Sequence, residues 1–316
     1  MKILITGVAG AIGSHLAERF VDLGHEVIGI DALTDYYSTD IKKINLAEVR
    51  AHGVQAHVKD LATDNLDSLM EGVEIVFHLA AQPGISAATS FDDYLKNNIQ
   101  ATHQLLEAAK KNKSLKMFFH ASTSSVYGLR AQGDEESEPK PTSFYGVTKL
   151  AAEQLALAYY RSWDVPVSVL RFFSVYGERE RPDKFYHRLI RAMYEDREVP
   201  LFEGSEYHRR TYTYVGDLVE GCVQALGSLE KVIGEIFNLG GTESITTAEG
   251  IKYVEEIMGK KAKIKRLPPR SGDQFETHAN IEKAQKTFGY HPTTTFEKGI
   301  AAQVKWYGER VHGKVK

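Results

Sequence analysis

Tyr145-Gly-Val-Thr-Lys149 opens a helix-like stretch, and its first and last residues are one helical turn apart, so a phenol and an ammonium share one face. A free phenol titrates at about 10 and is a poor base at neutral pH. A positive charge one turn away favours the phenolate. The pair can therefore form a base that takes a hydroxyl proton while hydride leaves the same carbon. Tyr-x-x-x-Lys recurs by chance, and its weight here comes from what precedes it, beginning with Ser122-Thr123-Ser124-Ser125-Val126-Tyr127-Gly128.

Near the N-terminus, Gly7-Val-Ala-Gly10-Ala-Ile-Gly13 lies between a strand-like and a helix-like segment. The backbone there must turn tightly, approach a pyrophosphate and pack on a sheet, while the N–H groups of the helix start, at Ala11 and Ile12, meet the phosphates. The spacing departs from the commonest Gly-x-Gly-x-x-Gly fingerprint, so context decides. Asp31 closes the second strand-like segment, where a carboxylate accepts adenosine ribose hydroxyls and repels a 2′-phosphate; this predicts NAD rather than NADP. Asp60-Leu61 and Leu79-Ala80-Ala81 follow the third and fourth strands, at the carboxyl ends where such sheets bind ligands. Asp60 reads either as an adenine contact or as a loop cap. A nicotinamide ring would add its positive charge to that of Lys149 in favouring the Tyr145 phenolate.

These residues need elements to place them. Strand-like segments run over Lys2–Thr6, Glu26–Ile30, Gln55–Val58, Glu74–Leu79, Met117–Ala121 and Val167–Phe173. Helix-like stretches lie between them, including Ala11–Leu23, Asp40–His52, Tyr94–Lys111 and Tyr145–Arg161. Runs such as Ile75-Val76-Phe77 suit strands covered on both faces. The alternation predicts an α/β fold with a Rossmann-type doubly wound parallel sheet. Beyond about residue 174, helices expected at Phe185–Asp196, Asp217–Leu226, Thr247–Met258 and Phe296–Tyr307 dominate, with short strands near Arg210–Val215, Glu235–Leu239 and Lys263–Arg266. The expected division is a cofactor domain over residues 1–173 and a smaller α/β substrate domain over 174–316, interleaved by a return to the first sheet near 210–240.

The 316 residues carry a net charge of −3, with 26% charged and 42% hydrophobic side chains, which gives no reason to expect nucleic acid or membrane as a partner. The single cysteine, Cys222, excludes an internal disulfide, suits a reducing cytoplasm and reads as a small buried hydrophobe. No apolar run approaches the roughly 20 residues of a membrane span. Neither a signal peptide nor a metal site is expected.

With these motifs the chain resembles the extended short-chain dehydrogenase/reductase family, and within it the nucleotide-sugar epimerases, decarboxylases and dehydratases. The resemblance spans nearly the whole chain. Besides the glycine loop and Tyr-x-x-x-Lys it rests on His78-Leu-Ala-Ala, Leu170-Arg-Phe-Phe-Ser-Val-Tyr-Gly, Arg210-Thr-Tyr-Thr-Tyr-Val-Gly-Asp217 and Phe237-Asn-Leu-Gly-Gly241. It implies that Thr123 is the catalytic hydroxyl, bonded to the reacting sugar oxygen and to Tyr145, with Ser124 and Ser125 beside it in the substrate site. It implies that Lys149 also holds the nicotinamide ribose. Arg210 and Arg270 would clamp the diphosphate, Asp273 the nucleotide ribose, and Val199-Pro-Leu-Phe202 would pass the uracil of a UDP-sugar. Relatives form homodimers through two helices per subunit, here Tyr94–Lys111 and Tyr145–Arg161.

Family members begin by oxidising C4 of a nucleotide sugar to a 4-keto intermediate. Dehydratases place Asp-Glu directly after the catalytic threonine; Ser124-Ser125 stands here, so dehydration is not expected. The run Phe172-Phe173-Ser174-Val175-Tyr176-Gly177-Glu178-Arg179-Glu180-Arg181-Pro182-Asp183 resembles the UDP-glucuronate 4-epimerases, in which the small hydroxyl residue and the arginine of Arg-Pro-Asp bind the sugar carboxylate. Carried over, these are Ser174 and Arg181, and a guanidinium suits a carboxylate because its fork donates two charge-assisted bonds. There is one departure: Gln82-Pro83-Gly84-Ile85 leads to Ser86, where those enzymes often carry arginine. The expected activity is NAD-dependent interconversion of UDP-glucuronate and UDP-galacturonate. A 4-keto glucuronate is a β-keto acid that loses CO2 readily, so a decarboxylase of the UDP-xylose synthase type is the alternative, followed by a UDP-glucose/galactose 4-epimerase. A non-catalytic NAD-binding protein is not expected with Thr123, Tyr145 and Lys149 all present.

Overall fold

The computed structural model describes residues 1–84, 89–269 and 275–314. The chain begins with β1 (Lys2–Thr6), α1 (Ala11–Asp22), β2 (Glu26–Asp31), α2 (Thr39–Ala51), β3 (Gln55–Val58), α3 (Asp67–Met70) and β4 (Ile75–His78). Next come α4 (Phe91–Tyr94), a π-helical turn (Leu95–Gln100), α5 (Ala101–Lys111), β5 (Met117–Thr123), β6 (Arg130–Ala131), α6 (Phe144–Trp163), β7 (Val167–Phe172) and β8 (Val175–Tyr176). The chain continues through α7 (Phe185–Tyr194), β9 (Glu198–Phe202), β10 (Arg209–Thr211), β11 (Thr213–Tyr214), α8 (Val215–Leu226), α9 (Leu229–Val232) and β12 (Ile236–Leu239). The last elements are β13 (Ser244–Thr246), α10 (Thr247–Met258), β14 (Lys263–Leu267), β15 (Glu276–Thr277), α11 (Glu282–Phe288) and α12 (Phe296–Arg310).

Seven strands form one parallel sheet in the order β12-β7-β5-β4-β1-β2-β3. The chain order reverses between β1 and β4, and the crevice at their carboxyl ends is where such a sheet receives a ligand. Both faces are covered, because successive side chains point to opposite sides. Ile3, Ile5 and Phe77 enter one core with Leu16 and Phe20 of α1 and Leu218 of α8. Leu4, Val76 and Phe118 enter the other with Leu105 of α5 and Ala156 of α6. Phe77 and Phe119 stack with ring centroids 4.6 Å apart, and each such buried ring contributes roughly 1.5–3 kcal/mol. Cys222 is buried in α8, where burial pushes its thiol up to about 12.

A third core joins α7, α10 and α12 through Tyr186, Leu189, Val254, Phe296 and Ile300. Small sheets flank it: β9 pairs with β14, and β10 lies between β13 and β15. The doubly wound parallel sheet expected from the sequence is present, with most element ends moved by one to three residues. One helix differs more. The stretch expected over Tyr94–Lys111 begins at Phe91, where Ser90 and Asp93 form a capping box, and Leu95–Gln100 winds as a π turn before α5. Apolar periodicity averages over such a turn and does not reveal it. Five strands were not expected at all: β9, which carries Pro200, and the short β6, β8, β13 and β15. Proline is tolerated because β9 belongs to a two-stranded sheet. No helix among the described residues is long and apolar enough to cross a membrane.

Candidate active site

A cavity of about 640 Å³ runs along the carboxyl ends of the sheet and continues between it and the α7 region. Gly7, Gly10, Ala11, Ile12 and Gly13 form its floor at one end. Gly7 takes φ +74°, and a Cβ there would lie 2.9 Å from the Ala80 nitrogen. At Gly13 a Cβ would lie 2.2 Å from the Gly7 carbonyl oxygen. These glycines let the turn close on itself, and α1 then starts at Ala11, after Gly10, without a side-chain cap. The result is a bare helix N-terminus facing a cradle that any larger side chain would fill, which fits a pyrophosphate. Asp31 ends β2, with Oδ2 accepting from Ala9 N at 3.0 Å and Oδ1 from Leu33 N at 2.8 Å. A carboxylate has about four acceptor sites, so the fixed group retains capacity for ribose hydroxyls. The residues present therefore fit a dinucleotide.

Asp60 and Leu61 also border the cavity. Asp60 accepts from Lys96 Nζ at 2.7 Å and from Ala62 N at 2.9 Å, which makes it a loop cap as well as a cavity residue. Burial pushes its carboxyl up, but these two donors outweigh that and hold it below the usual carboxylate range. Leu79, Ala80 and Ala81 line the middle of the cavity on a loop pinned from both sides. Thr6 Oγ1 accepts from the Leu79 and Ala80 nitrogens at 3.2 and 3.1 Å. Asn98, in the π turn, takes Gln82 N on Oδ1 at 2.7 Å and donates from Nδ2 to Thr148 at 3.0 Å. Thr102 donates to the Asn98 carbonyl, so His78 Nε2 donates to Thr102 and His78 Nδ1 accepts from Thr6. Burial holds His78 neutral, with its pKa near 3.

Thr123, at the end of β5, comes together with Tyr145 and Lys149 of α6 in the cavity wall. Ser143 caps α6 by accepting from Gly146 N at 3.1 Å, which fixes Tyr145 in the first turn. The Thr123 hydroxyl lies close enough to the Tyr145 phenol to favour its ionised form. Burial pushes the phenol up, and the Thr123 hydroxyl and the charge of Arg181 oppose the push. Lys149 is buried beside His120, and burial lowers its ammonium to about 8 against the upward pull of Glu153. Glu153 in turn binds Arg171 through two bonds, Nη2 to Oε1 at 2.6 Å and Nε to Oε2 at 3.0 Å, and accepts from Ser122 at 2.7 Å. Ser124 and Ser125 follow Thr123 along the wall, with no carboxylate at either position.

The far wall is a strap, residues 174–184, whose charged side chains leave toward separate partners. Glu178 accepts from Tyr214 at 3.0 Å. Arg179 donates to Glu18 of α1 at 2.9 Å and to Glu48 of α2 at 2.7 Å. Glu180 is buried and accepts from Gln303 of α12 at 2.7 Å. Arg181 enters the cavity near Tyr145. Ser174, at φ +31°, and Arg179, at φ +61°, carry left-handed backbone, a strain of about 1–3 kcal/mol each that the strap's anchors must hold. Ser174 and Arg210 border the same cavity, as do Pro200, Leu201 and Phe202. Arg270, Asp273, Ile85 and Ser86 lie outside the described residues. Sequence reasoning passed over Tyr36, Lys42, Gln82 and Lys184, which also line the cavity; the Tyr36-Tyr37 pair soon after Asp31 was the one available signal.

Residues 3–240 match the NAD dependent epimerase/dehydratase family. The chain belongs to that family. One member, the uncharacterized UDP-glucose epimerase YtcB of Bacillus subtilis (strain 168), is 39% identical over 320 residues, covering 99% of this chain and 100% of that protein. Another, UDP-glucuronate 4-epimerase 2 of Arabidopsis thaliana, is 34% identical over 330 residues, covering 97% of this chain and 76% of that protein. The UDP-glucuronic acid 4-epimerase of Bacillus cereus, solved in complex with UDP-glucuronic acid and NAD, matches with a TM-score of 0.93 and 38% identity over 98% of this chain and 99% of that one.

Proposed function

We propose that this chain is an NAD-dependent nucleotide-sugar 4-epimerase that interconverts UDP-glucuronate and UDP-galacturonate through a 4-keto intermediate. The observation that carries the acidic-sugar reading is Arg181, which enters the cavity close enough for its charge to act on the Tyr145 phenol. The Bacillus cereus and Arabidopsis relatives, both named for UDP-glucuronate, support it.

In this reading Thr123 and Tyr145 hold the C4 hydroxyl, and Tyr145 takes its proton and later returns it. Bound NAD supplies the acceptor, then the donor, of the C4 hydride. Gly7, Gly10, Ala11, Ile12 and Gly13 hold its pyrophosphate, Asp31 its adenosine ribose and Lys149 its nicotinamide ribose, with Asp60, Leu61, Leu79, Ala80 and Ala81 around it. Arg210 serves the diphosphate of the sugar nucleotide. Ser124 and Ser125 border the sugar without offering the acid and base that dehydration needs. Ser174 and Arg181 hold the carboxylate, keeping its C–C bond out of line with the C4 ketone and so opposing loss of CO2.

A neutral-sugar reading has its own support, since the Bacillus subtilis relative is named for UDP-glucose and Arg181 already carries a partner, Asp183. Incubation with NAD and UDP-glucuronate and chromatography of the products separate the cases. UDP-galacturonate is the expected product. A UDP-pentose would mark a decarboxylase, and turnover of UDP-glucose alone would mark the neutral-sugar enzyme.

The same reading takes residues 1–173 as the cofactor part and 174–316 as the substrate part, in a cytoplasmic homodimer. The exposed Phe91, Phe144, Val147 and Trp163 on and beside α6 support pairing through α5 and α6. Sedimentation of the purified protein tests it.

A further inference from the structure

Arg181 and Asp183 form a closed pair. Arg181 Nε donates to Asp183 Oδ1 and Nη2 to Oδ2, each at 3.1 Å. Pro182 between them restricts the backbone, so the two side chains meet with little freedom to lose. Both border the cavity, the arginine side chain 18% exposed and the aspartate 38%. Gly84 leaves room for the guanidinium, since a Cβ there would lie 3.2 Å from Nη2. The neighbouring charges are committed elsewhere: Glu180 accepts from Gln303, and the Lys184 ammonium donates to the Val175 carbonyl at 3.2 Å.

A guanidinium fork offers two parallel donors to one carboxylate, and Asp183 holds such a pair. A sugar carboxylate reaching the same edge must displace Asp183, whose exposed side chain can return to water. A neutral sugar meets a guanidinium that already has its counter-charge, and so avoids the large penalty of leaving a part-buried cation unpaired. We propose that Asp183 is an internal carboxylate that occupies Arg181 until a substrate carboxylate replaces it, and thereby sets the preference of the site for acidic over neutral sugars. This rests on the reading of Arg181 as the partner of the sugar carboxylate.

The test uses NAD-loaded protein carrying Tyr145→Phe to prevent turnover, with dissociation constants for UDP-glucuronate and UDP-glucose measured by calorimetry. Asp183→Asn should tighten UDP-glucuronate by roughly two- to fivefold, the range of a part-exposed ion pair, and leave UDP-glucose unchanged or weaker. Asp183→Ser, which removes the same charge with a smaller side chain, should act in the same direction. In an Arg181→Ala background neither change should alter the preference. Weaker binding of the acidic sugar in Asp183→Asn, an equal change for both sugars, or an effect that persists without Arg181 would overturn the proposal. If the protein with Asp183 intact binds UDP-glucose but no UDP-glucuronate, the acidic-sugar reading of the enzyme fails. The proposal is then decided separately: acidic-sugar binding gained by Asp183→Asn upholds it, and none gained refutes it.

Discussion

The Lys149 ammonium lies 3.5 Å from Nε2 of His120, on the strand that ends at Thr123. Burial keeps that histidine neutral, far below its ordinary value. The lysine therefore faces a neutral ring rather than a second cation. Lys149 itself is lowered to about 8, so it is charged below that pH and loses its charge as pH rises through it. In the proposed reaction this ammonium supports the Tyr145 phenolate, so kcat/KM should fall above about pH 8. Lys149→Arg, which keeps its charge to high pH, should lose that falling limb even where its absolute rate is lower. A wild-type profile that climbs steadily to about pH 10, the ordinary range of a free phenol, would exclude this role.

Tyr145→Phe removes the proposed proton acceptor and leaves the ring. Turnover should drop on the order of 100- to 10,000-fold, the span of a positioned acid–base group, while the protein still carries NAD. Steady-state rates and the cofactor released on denaturation measure both; a loss below tenfold means another group takes the proton.

Glu153→Gln leaves Arg171, 1% exposed, without its counter-charge. Breaking a buried pair this way costs about 3–5 kcal/mol, readable as a lower urea midpoint. Because Glu153 pulls the Lys149 ammonium upward, the alkaline limb of the rate profile should also move to lower pH. A purely structural role for Glu153 would change the midpoint alone.

Gly13→Ala puts a methyl 2.2 Å from a backbone oxygen that has nowhere to go. NAD affinity, measured by titration, should fall more than tenfold. Gly227→Ala, with 3.4 Å to its nearest neighbour, serves as the control and should bind NAD normally.

Much of this architecture could be read from the chain. Ile3-Leu4-Ile5 and Ile75-Val76-Phe77 announce strands buried on both faces, and the glycine loop announces the turn from β1 into α1. Tyr145, Lys149 and Asp31 lie where local spacing placed them. The parts that escaped depend on pairings across the fold. Asn98 braces the Gln82 loop from within a π turn, and apolar periodicity carries no record of that turn. Glu153 stands one turn beyond Lys149, yet its weight comes from Arg171 on β7, which only packing brings near. Arg181 could be picked out from the sequence as a residue of the site, whereas its engagement by Asp183 depends on side-chain geometry that sequence does not specify.

The last strand of the main sheet arrives late: β12 lies against β7 from Ile236↔Val169 to Leu239↔Phe172. A gene cut at residue 173 would leave β7 with a bare hydrogen-bonding edge, an invitation for copies to join one another. It would also strip Leu218 and Cys222 of α8 from the core that Ile3 and Phe77 share. Residues 1–173 are thus a poor transplant by themselves. A chimera that borrows this pocket for another sugar will fare better exchanging the 174–184 strap than splicing the two halves.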